Sequence, residues 1–179
     1  QEPDPVAELT GELDSDYAVE ELKQELFPNG RKEKSSSNWW TDGYIQARNY
    51  LYGSDSTLQD FEKAYQKFLQ EAEQGNGFAM HDLGRMFADG LGRDIDLQSS
   101  HAWYEKTLTA FLSAEEEKPK TYLEYRIGKM HASGLGTVQD YEQAASWFQE
   151  AVDKNHKYAQ YSLGSLYYRG QGVPQDYVK

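Results

Sequence analysis

The residues best able to do chemistry in this chain are four histidines, many carboxylates and three Gly-x-Gly pairs. The histidines are His81, His101, His131 and His156, and their separations match no local metal-ligand pair such as H-x-H or H-x-x-x-H. Because ligands must converge on a metal ion, this spacing predicts no metal site. The sequence contains no Cys and no nucleophile-elbow motif, so we expect no nucleophilic catalysis of those kinds.

The Gly-x-Gly pairs do not have the context of a phosphate-binding loop. Such a loop lies between a strand and the first turn of a helix, whereas each pair here follows a predicted helix. Carboxylates are abundant, but no two stand out as an acid–base couple, and solvated helix faces explain them. The sequence therefore predicts a non-enzymatic segment with no catalytic residue and no cofactor.

The charge of the chain favours a protein partner over nucleic acid. A formal charge of −12 disfavours phosphate binding, which needs clustered Lys and Arg, and suits a neutral or basic protein. No run approaches the roughly 20 apolar residues of a membrane span, and no signal pattern opens the chain. With no Cys to form disulfides, a cytoplasmic location is expected.

One sequence motif that occurs three times predicts the secondary-structure elements that carry these residues. A hydrophobe-Gly pair leads a Gly-x-Gly pair and then an Asp, at 83–96, 127–140 and 163–176. Successive Asp residues are 44 and 36 residues apart, so the middle copy carries eight extra residues. A degraded copy precedes them, with Ala47-Arg48 in the hydrophobe-Gly position and Asp60 in the Asp position. A period in this range predicts a solenoid.

Each full copy predicts two helices. In the last one, Asp140 is the expected N-cap of the first helix, with Gln143 at capping-box spacing. Residues 153–156 form the turn, and Gly170 ends the second helix in the left-handed conformation. A mid-helix glycine costs about 1 kcal/mol relative to alanine, so the repeated hydrophobe-Gly pair predicts close approach of the paired helix. The aromatic pairs at 103–104 and 147–148 are expected in the core.

Two regions are less regular. The extra residues of the middle copy, around 113–119, either lengthen the loop or extend the first helix by two turns, with Pro119 at the start of the second. In the degraded copy a second helix is expected at about 41–52. We divide the chain into an acidic helix and Ser-rich linker at 1–37 and a solenoid at 38–179. The solenoid comprises a partial repeat at 38–59, repeats at 60–95, 96–139 and 140–175, and a truncated repeat at 176–179. The abrupt ends suggest an excised segment of a longer protein.

The pattern resembles the Sel-1-like repeat family, relatives of the tetratricopeptide repeats. Residues 140–176 match the family pattern at nearly every position. In order, that pattern is Asp, an aromatic residue, Ala, a Trp-aromatic pair, a turn, Leu-Gly and Gly-x-Gly-Val-x-x-Asp. Arg93 and Thr137 replace Val173, and Lys67 replaces Trp. The resemblance implies an all-α, right-handed α-α superhelix of helix-turn-helix repeats, whose concave face holds protein partners.

A narrower resemblance concerns the whole protein. Segments 125–130 and 156–164, after an acidic lead-in, are similar to repeat tails on mobilisation relaxases of conjugative elements in Gram-positive gut bacteria. This implies a protein-interaction scaffold beside a nuclease. The alternatives are a DNA-handling accessory region of that nuclease and a secreted host-interaction repeat protein.

Partner contacts are expected at positions of the first helices that the core does not use. These lie two, five and nine residues after each Asp. These positions are Glu62, Tyr65, Leu69, Gln98, His101, Glu105, Glu142, Ala145 and Gln149, and the selected candidates are Tyr65, Leu69, Gln98, His101, Glu105, Glu142 and Gln149. Contact with a neighbouring helix is an equally good explanation for Tyr65, Leu69 and His101, which place partly apolar groups on an otherwise polar face.

Overall fold

A computed structural model describes residues 39–174. These residues form seven helices and no extended strand. The helices are α1 (Asp42–Tyr52), α2 (Phe61–Glu73), α3 (Gly77–Asp89), α4 (Leu97–Glu117), α5 (Thr121–Ser133), α6 (Tyr141–Asp153) and α7 (Lys157–Arg169). The predicted acidic helix, the Ser-rich linker and the repeat predicted at 176–179 lie outside the described residues.

The described chain divides into two compact units, and the boundary falls inside α4. The amino-terminal unit runs to Ala114 and the carboxy-terminal unit starts at Glu115. In the amino-terminal unit, α1 packs on α2 and α2 on α3, while in the carboxy-terminal unit α5 packs on α6 and α6 on α7. Successive helices are thus neighbours within each unit, as the helix-hairpin pattern predicts.

The Asp and Gly residues of the repeated motif cap the helix ends, as predicted. Asp60 and Asp140 have extended backbones, and their carboxylates accept hydrogen bonds from the Lys63 and Gln143 amides at 3.0 Å. At the other end, Gly170 adopts the left-handed conformation with φ of 64°. The predicted cap at each end of the last repeat is confirmed, as is the helix of the degraded copy, which Thr41 caps.

The eight extra residues of the middle copy extend its first helix. Helix α4 has 21 residues and α6 has 13, a difference of eight. Residues 110–117 contain no Gly or Pro, and Glu, Ala and Leu favour the helical state. The helix stops just before Pro119, which would remove a backbone donor and clash with the preceding turn. Helix extension, rather than a longer loop, is therefore the outcome.

An aromatic ring packs directly against the glycine of the hydrophobe-Gly pair. A Cβ added at Gly84 would lie 2.8 Å from the ring of Tyr104, and one at Gly128 would lie 2.6 Å from the ring of Phe148. In both cases the ring comes from the residue 20 positions later. We call each such pair a glycine seat. The predicted close approach is confirmed at Gly84 and Gly128, but there the approaching helix opens the next repeat and is not the partner within the same predicted hairpin.

Only one member of each aromatic pair belongs to the core. Tyr104 and Phe148 are buried, while Trp103 and Trp147 are half-buried. The Lys106 ammonium lies 4.5 Å from the Trp103 ring centroid. Because adjacent helical residues are about 100° apart, one aromatic fills the seat and its neighbour covers the flank of the helix. The prediction that both belong to the core is wrong for the tryptophans.

Candidate protein-binding surface

The predicted contact positions on α4 and α6 are exposed except for Ala145, which is buried. Gln98, His101 and Glu105 follow one another at helical spacing on α4, and Glu142 and Gln149 do so on α6. The neighbouring residues Tyr104 and Phe148 carry the packing. These two helices therefore present predicted contact residues to solvent without cost to the core.

On α2 the corresponding positions are less accessible. Tyr65 and Leu69 are half-buried. The Arg93 guanidinium lies 3.4 Å from the Tyr65 ring centroid, and the Phe87 ring meets Tyr65 edge-on at 6.2 Å. Arg93, noted above as a departure from the family pattern, thus holds Tyr65 against α3 as a cation–π partner. Tyr65 therefore packs against α3 and Arg93, and its role as a partner contact stays a prediction.

His101 forms a surface pair with Glu105. Its Nε2 lies 3.2 Å from the Glu105 carboxylate, one helical turn along, and both side chains are more than half exposed. An exposed pair of this kind contributes at most about 1 kcal/mol. Both groups stay available to a partner.

Gln149 lies at the edge of an open groove in the carboxy-terminal unit. The groove has a volume of about 340 Å³ and is lined by Gln149 and Val152 of α6 and by Gln160, Leu163, Gly164 and Tyr167 of α7. Its lining carries no formal charge, and Gly164 is half-buried whereas Gly84 and Gly128 are buried. The third glycine of the repeat therefore lines a groove between α6 and α7.

The degraded copy contains a buried polar cluster that sequence reasoning did not find. Tyr44 donates a hydrogen bond to the Asp82 carboxylate at 2.6 Å, and Arg48 lies 3.3 Å from the Tyr44 hydroxyl and 3.9 Å from Asp82. Burial, followed by the charge of Asp82, raises the pKa of Tyr44 well above its usual value. The phenol therefore stays protonated and donates. The signal in the sequence that could have indicated this cluster is Arg48, which stands where the other repeats have glycine.

A second polar cluster lies where the extended α4 meets α5. The Glu115 carboxylate accepts a hydrogen bond from the Lys120 amide at 2.8 Å, and so caps α5, whose own N-cap residue makes no side-chain bond. Burial, with the neighbouring Glu124 carboxyl, raises the pKa of Glu115 to about 7. Lys154 forms an ion pair with Glu124, and this hydrogen bond raises the pKa of Lys154.

The histidines take separate structural roles. The Nδ1 atom of His156 accepts a hydrogen bond from the Ala159 amide and caps α7. His81 packs edge-on against the Tyr104 ring at 5.2 Å, and burial lowers the pKa of His131. Within residues 39–174, no group of three or more His, Cys, Asp or Glu residues is placed to hold a metal ion. No helix in that range is long and apolar enough to cross a membrane.

Comparisons with known proteins agree with this geometry. The family model described as Sel1 repeat matches residues 47–76, 77–108, 122–156 and 157–179. Two of these matches, at 77–108 and 122–156, begin at a second helix and include the following first helix, so each contains both members of a glycine seat. Sel1 repeat proteins are non-enzymatic scaffolds, which supports the prediction of a non-enzymatic segment.

Individual relatives share only part of their length with this chain. The ERAD-associated E3 ubiquitin-protein ligase component HRD3A of Arabidopsis thaliana is 30% identical over 92 residues, which cover 47% of this chain and 13% of that protein. The crystal structure of a Sel1 repeat protein from Oxalobacter formigenes is 29% identical with a TM-score of 0.52, over 75% of this chain and 36% of the other.

A second solved structure is more distant. The protective antigen c5321 of uropathogenic Escherichia coli is 20% identical with a TM-score of 0.39, over 99% of this chain and 46% of the other. That score is too low to add to the fold assignment. The seven helices and the family matches together make the fold an all-α solenoid. The chain belongs to the Sel1 repeat family.

Proposed function

We propose that this chain is a scaffold that binds protein partners through the exposed faces of its first helices. Sel1 repeats generally mediate protein–protein interactions. The observation that carries the proposal here is the exposure of Gln98, His101 and Glu105 on α4 beside the fully engaged ring of Tyr104. A surface that contributes little to the core is free to vary with the partner. We assign it to the concave face of the solenoid and place the scaffold in the cytoplasm.

Site-specific photo-crosslinking in cells that make the whole protein tests this assignment. A benzophenone side chain in place of His101 or Glu105 should give the same discrete adduct, because both positions lie on the exposed face of α4. The matched control is Gln70, an exposed residue of α2 outside the candidate set. Equal adducts from all three positions would contradict a defined binding face.

The more specific form of the proposal is the accessory tail of a conjugative relaxase, where the scaffold would dock transfer proteins beside the nuclease. The similarity of segments 125–130 and 156–164 to such tails supports it. Reading the full parent gene tests it. A preceding domain with a His cluster and a Tyr nucleophile is expected, and a parent gene without such a domain would rule it out.

The DNA-handling alternative makes the opposite prediction in solution. With a formal charge of −12, we expect the chain to show negligible affinity for a single-stranded oligonucleotide even at low salt. Fluorescence anisotropy with a labelled oligonucleotide measures this. Binding that weakens steeply as salt rises would favour the DNA-handling role. A signal peptide in the parent gene would favour the secreted alternative.

A further inference from the structure

We propose that Ile95 and Leu97, at the start of α4, anchor an amphipathic helix of a partner protein whose polar face is basic. This inference rests on the proposed protein-binding function and names an anchor and a class of partner for the exposed face of α4. Ile95 is 64% exposed and Leu97 is 69% exposed. We call these two residues the α4 anchor.

Ile95 occupies the same position in its loop as Gln139 does in the loop before α6. Each of the two directly precedes the Asp that stands before the helix. A Cβ added at Gly90 would lie 2.9 Å from Cγ1 of Ile95. A Cβ added at Gly134 would lie 3.3 Å from Cβ of Gln139. The two loops therefore place these residues alike, and only their chemistry differs.

A glutamine at this position serves the fold. The Gln139 amide group donates a hydrogen bond to the Ala132 carbonyl of α5 at 2.9 Å. In the loop before α2, Gln59 donates to the Leu51 carbonyl of α1 at 2.8 Å. The side chain of Ile95 has no donor, so it cannot make the corresponding bond to the end of α3. At α4 this hydrogen bond is replaced by exposed apolar surface.

Leu97 differs from its equivalents in the same direction. The first residues of α2 and α6 are Phe61 and Tyr141, and both are half-buried. A Cβ added at Gly92 would clash with Phe61, and one added at Gly172 would clash with the backbone of Tyr141. Exposed apolar residues scattered singly need no explanation. Here two positions that serve hydrogen bonding or packing at α2 and α6 are both apolar and exposed, which indicates a contact with another protein.

The charges around the α4 anchor select the partner. Asp94 and Asp96 flank Ile95, and both are exposed. Hydrogen bonds from Ser99 lower the pKa of Asp96, so its carboxylate stays ionised at neutral pH. Arg93, the cation of this loop, is engaged by a ring and a carboxylate of α2. The rim of the anchor is therefore acidic, and basic side chains on the partner complement it.

The anchor is continuous with the proposed binding face of α4. Leu97, His101 and Glu105 are four residues apart and all exposed, so they follow one line along the helix. A partner helix lying along this line would place apolar residues on the α4 anchor and a basic residue near Glu105. This is the pattern of an amphipathic helix with a basic polar face.

A binding experiment with two labelled model peptides tests the proposal. The first is an amphipathic helix about five turns long with Leu on one face and Lys on the other, and the second has Glu in place of Lys. We expect the Leu/Lys peptide to bind the 179-residue chain saturably in fluorescence anisotropy at physiological salt. The Leu/Glu peptide should show no saturable binding, because the rim of the anchor repels it.

Variants of the protein locate the site. Ile95→Gln/Leu97→Gln removes the α4 anchor without changing the charge, and we expect it to weaken binding of the Leu/Lys peptide at least about tenfold. Its melting temperature should not fall, because Gln at position 95 restores the donor that the equivalent loops have. The matched control is Val138→Gln, which replaces an apolar residue that is 84% exposed in the loop before α6 and should leave binding unchanged.

Several outcomes would overturn the proposal. These are no saturable binding of the Leu/Lys peptide, equal affinity of wild type and the double variant, or an equal loss in Val138→Gln. Dimerisation of the chain that the double variant abolishes would do the same, because a second copy would then occupy the anchor. Binding to phosphatidylcholine vesicles that the double variant abolishes would assign the anchor to a lipid surface instead. Failure of the peptide test alongside a discrete adduct from His101 would overturn the anchor alone and leave the scaffold function standing.

Discussion

The glycine seat at Gly128 and the same repeat position in the degraded copy solve one packing problem with opposite chemistry. At Gly128 the absence of a side chain lets the Phe148 ring lie against the helix backbone. In the degraded copy Arg48 occupies the glycine position, and Phe68, which stands 20 residues later, packs against Tyr44 with ring centroids 5.8 Å apart. Both phenylalanines are fully buried.

The difference shows what the glycine is for. A ring can be buried at this position either on a bare helix or beside a long side chain, provided that the new polar group is satisfied. In Arg48 one guanidinium nitrogen, Nη1, lies 3.3 Å from the Tyr44 hydroxyl and 3.9 Å from the Asp82 carboxylate. The apolar seat depends on shape, whereas the polar alternative depends on a paired charge, so the two should fail under different substitutions.

The largest effect is expected from Asp82→Ala in the polar alternative. Removing the carboxylate leaves the buried Arg48 without its ion-pair partner, and such losses cost about 3–5 kcal/mol of unfolding free energy. Urea denaturation measures it. The double variant Arg48→Met/Asp82→Leu should recover most of the loss, because no charge is then left unpaired. A single variant within about 0.5 kcal/mol of wild type would show that the pair is dispensable.

The apolar seat should respond to added volume. We expect Gly128→Leu to lower the unfolding free energy by about 3 kcal/mol, the upper range for overpacking, since the new side chain meets the Phe148 ring. The control is Gly75→Ala, where a Cβ meets nothing within 4 Å and only the φ of +87° is unfavourable, at about 1–2 kcal/mol. In a double-mutant cycle, adding Phe148→Ala to Gly128→Leu should cost less than Phe148→Ala costs alone. Strict additivity would contradict direct contact.

The smallest effect concerns pH and the cap supplied by Glu115. Its pKa in the folded protein is about 7, against an ordinary 4.5, so its contribution to stability is complete below about pH 4.5 and is lost as pH rises through 7. Glu124, Lys154 and the Lys120 amide face this carboxyl. Glu115→Gln keeps an acceptor without the titration, so its melting temperature should exceed that of wild type at pH 8 and converge with it near pH 5.

The exposed neighbour Glu116 provides the control for that titration. Glu116→Gln should give a difference from wild type that does not change over the same pH range. The variant must be compared with wild type at each pH because His131 also titrates. Burial lowers the pKa of His131, so its contribution to the stability of the fold is lost as pH falls. A flat difference for Glu115→Gln would contradict the role of Glu115 as a titrating cap.

Local signals in the sequence predicted much of this fold. Asp140 and Gly170 set the ends of their helices because capping depends on one residue and its nearest amides. The repeated glycine indicated close helix packing. The identity of the approaching helix was missed, because a period defines a repeat but does not say which neighbouring helix fills it. The Glu115 cap depends on where an extended helix ends, and no local pattern encoded that.

The candidate surface was predicted less completely. Helical spacing identified exposed positions such as Gln98 and Glu142, since exposure follows from the period of the core. It did not reveal that Arg93 covers Tyr65, a contact between a loop and α2. The groove at Gly164 was missed for the same reason, because its shape depends on how α6 and α7 pack.

Proton chemical shifts of the repeat glycines give the most direct test of the glycine seats. An aromatic ring stacked on a glycine shifts its α-protons upfield. We expect this shift at Gly84, under the Tyr104 ring, and at Gly128, under the Phe148 ring, with Tyr104→Leu abolishing it at Gly84 alone. No upfield shift at either glycine, or an unchanged shift at Gly84 in Tyr104→Leu, would contradict the glycine seats.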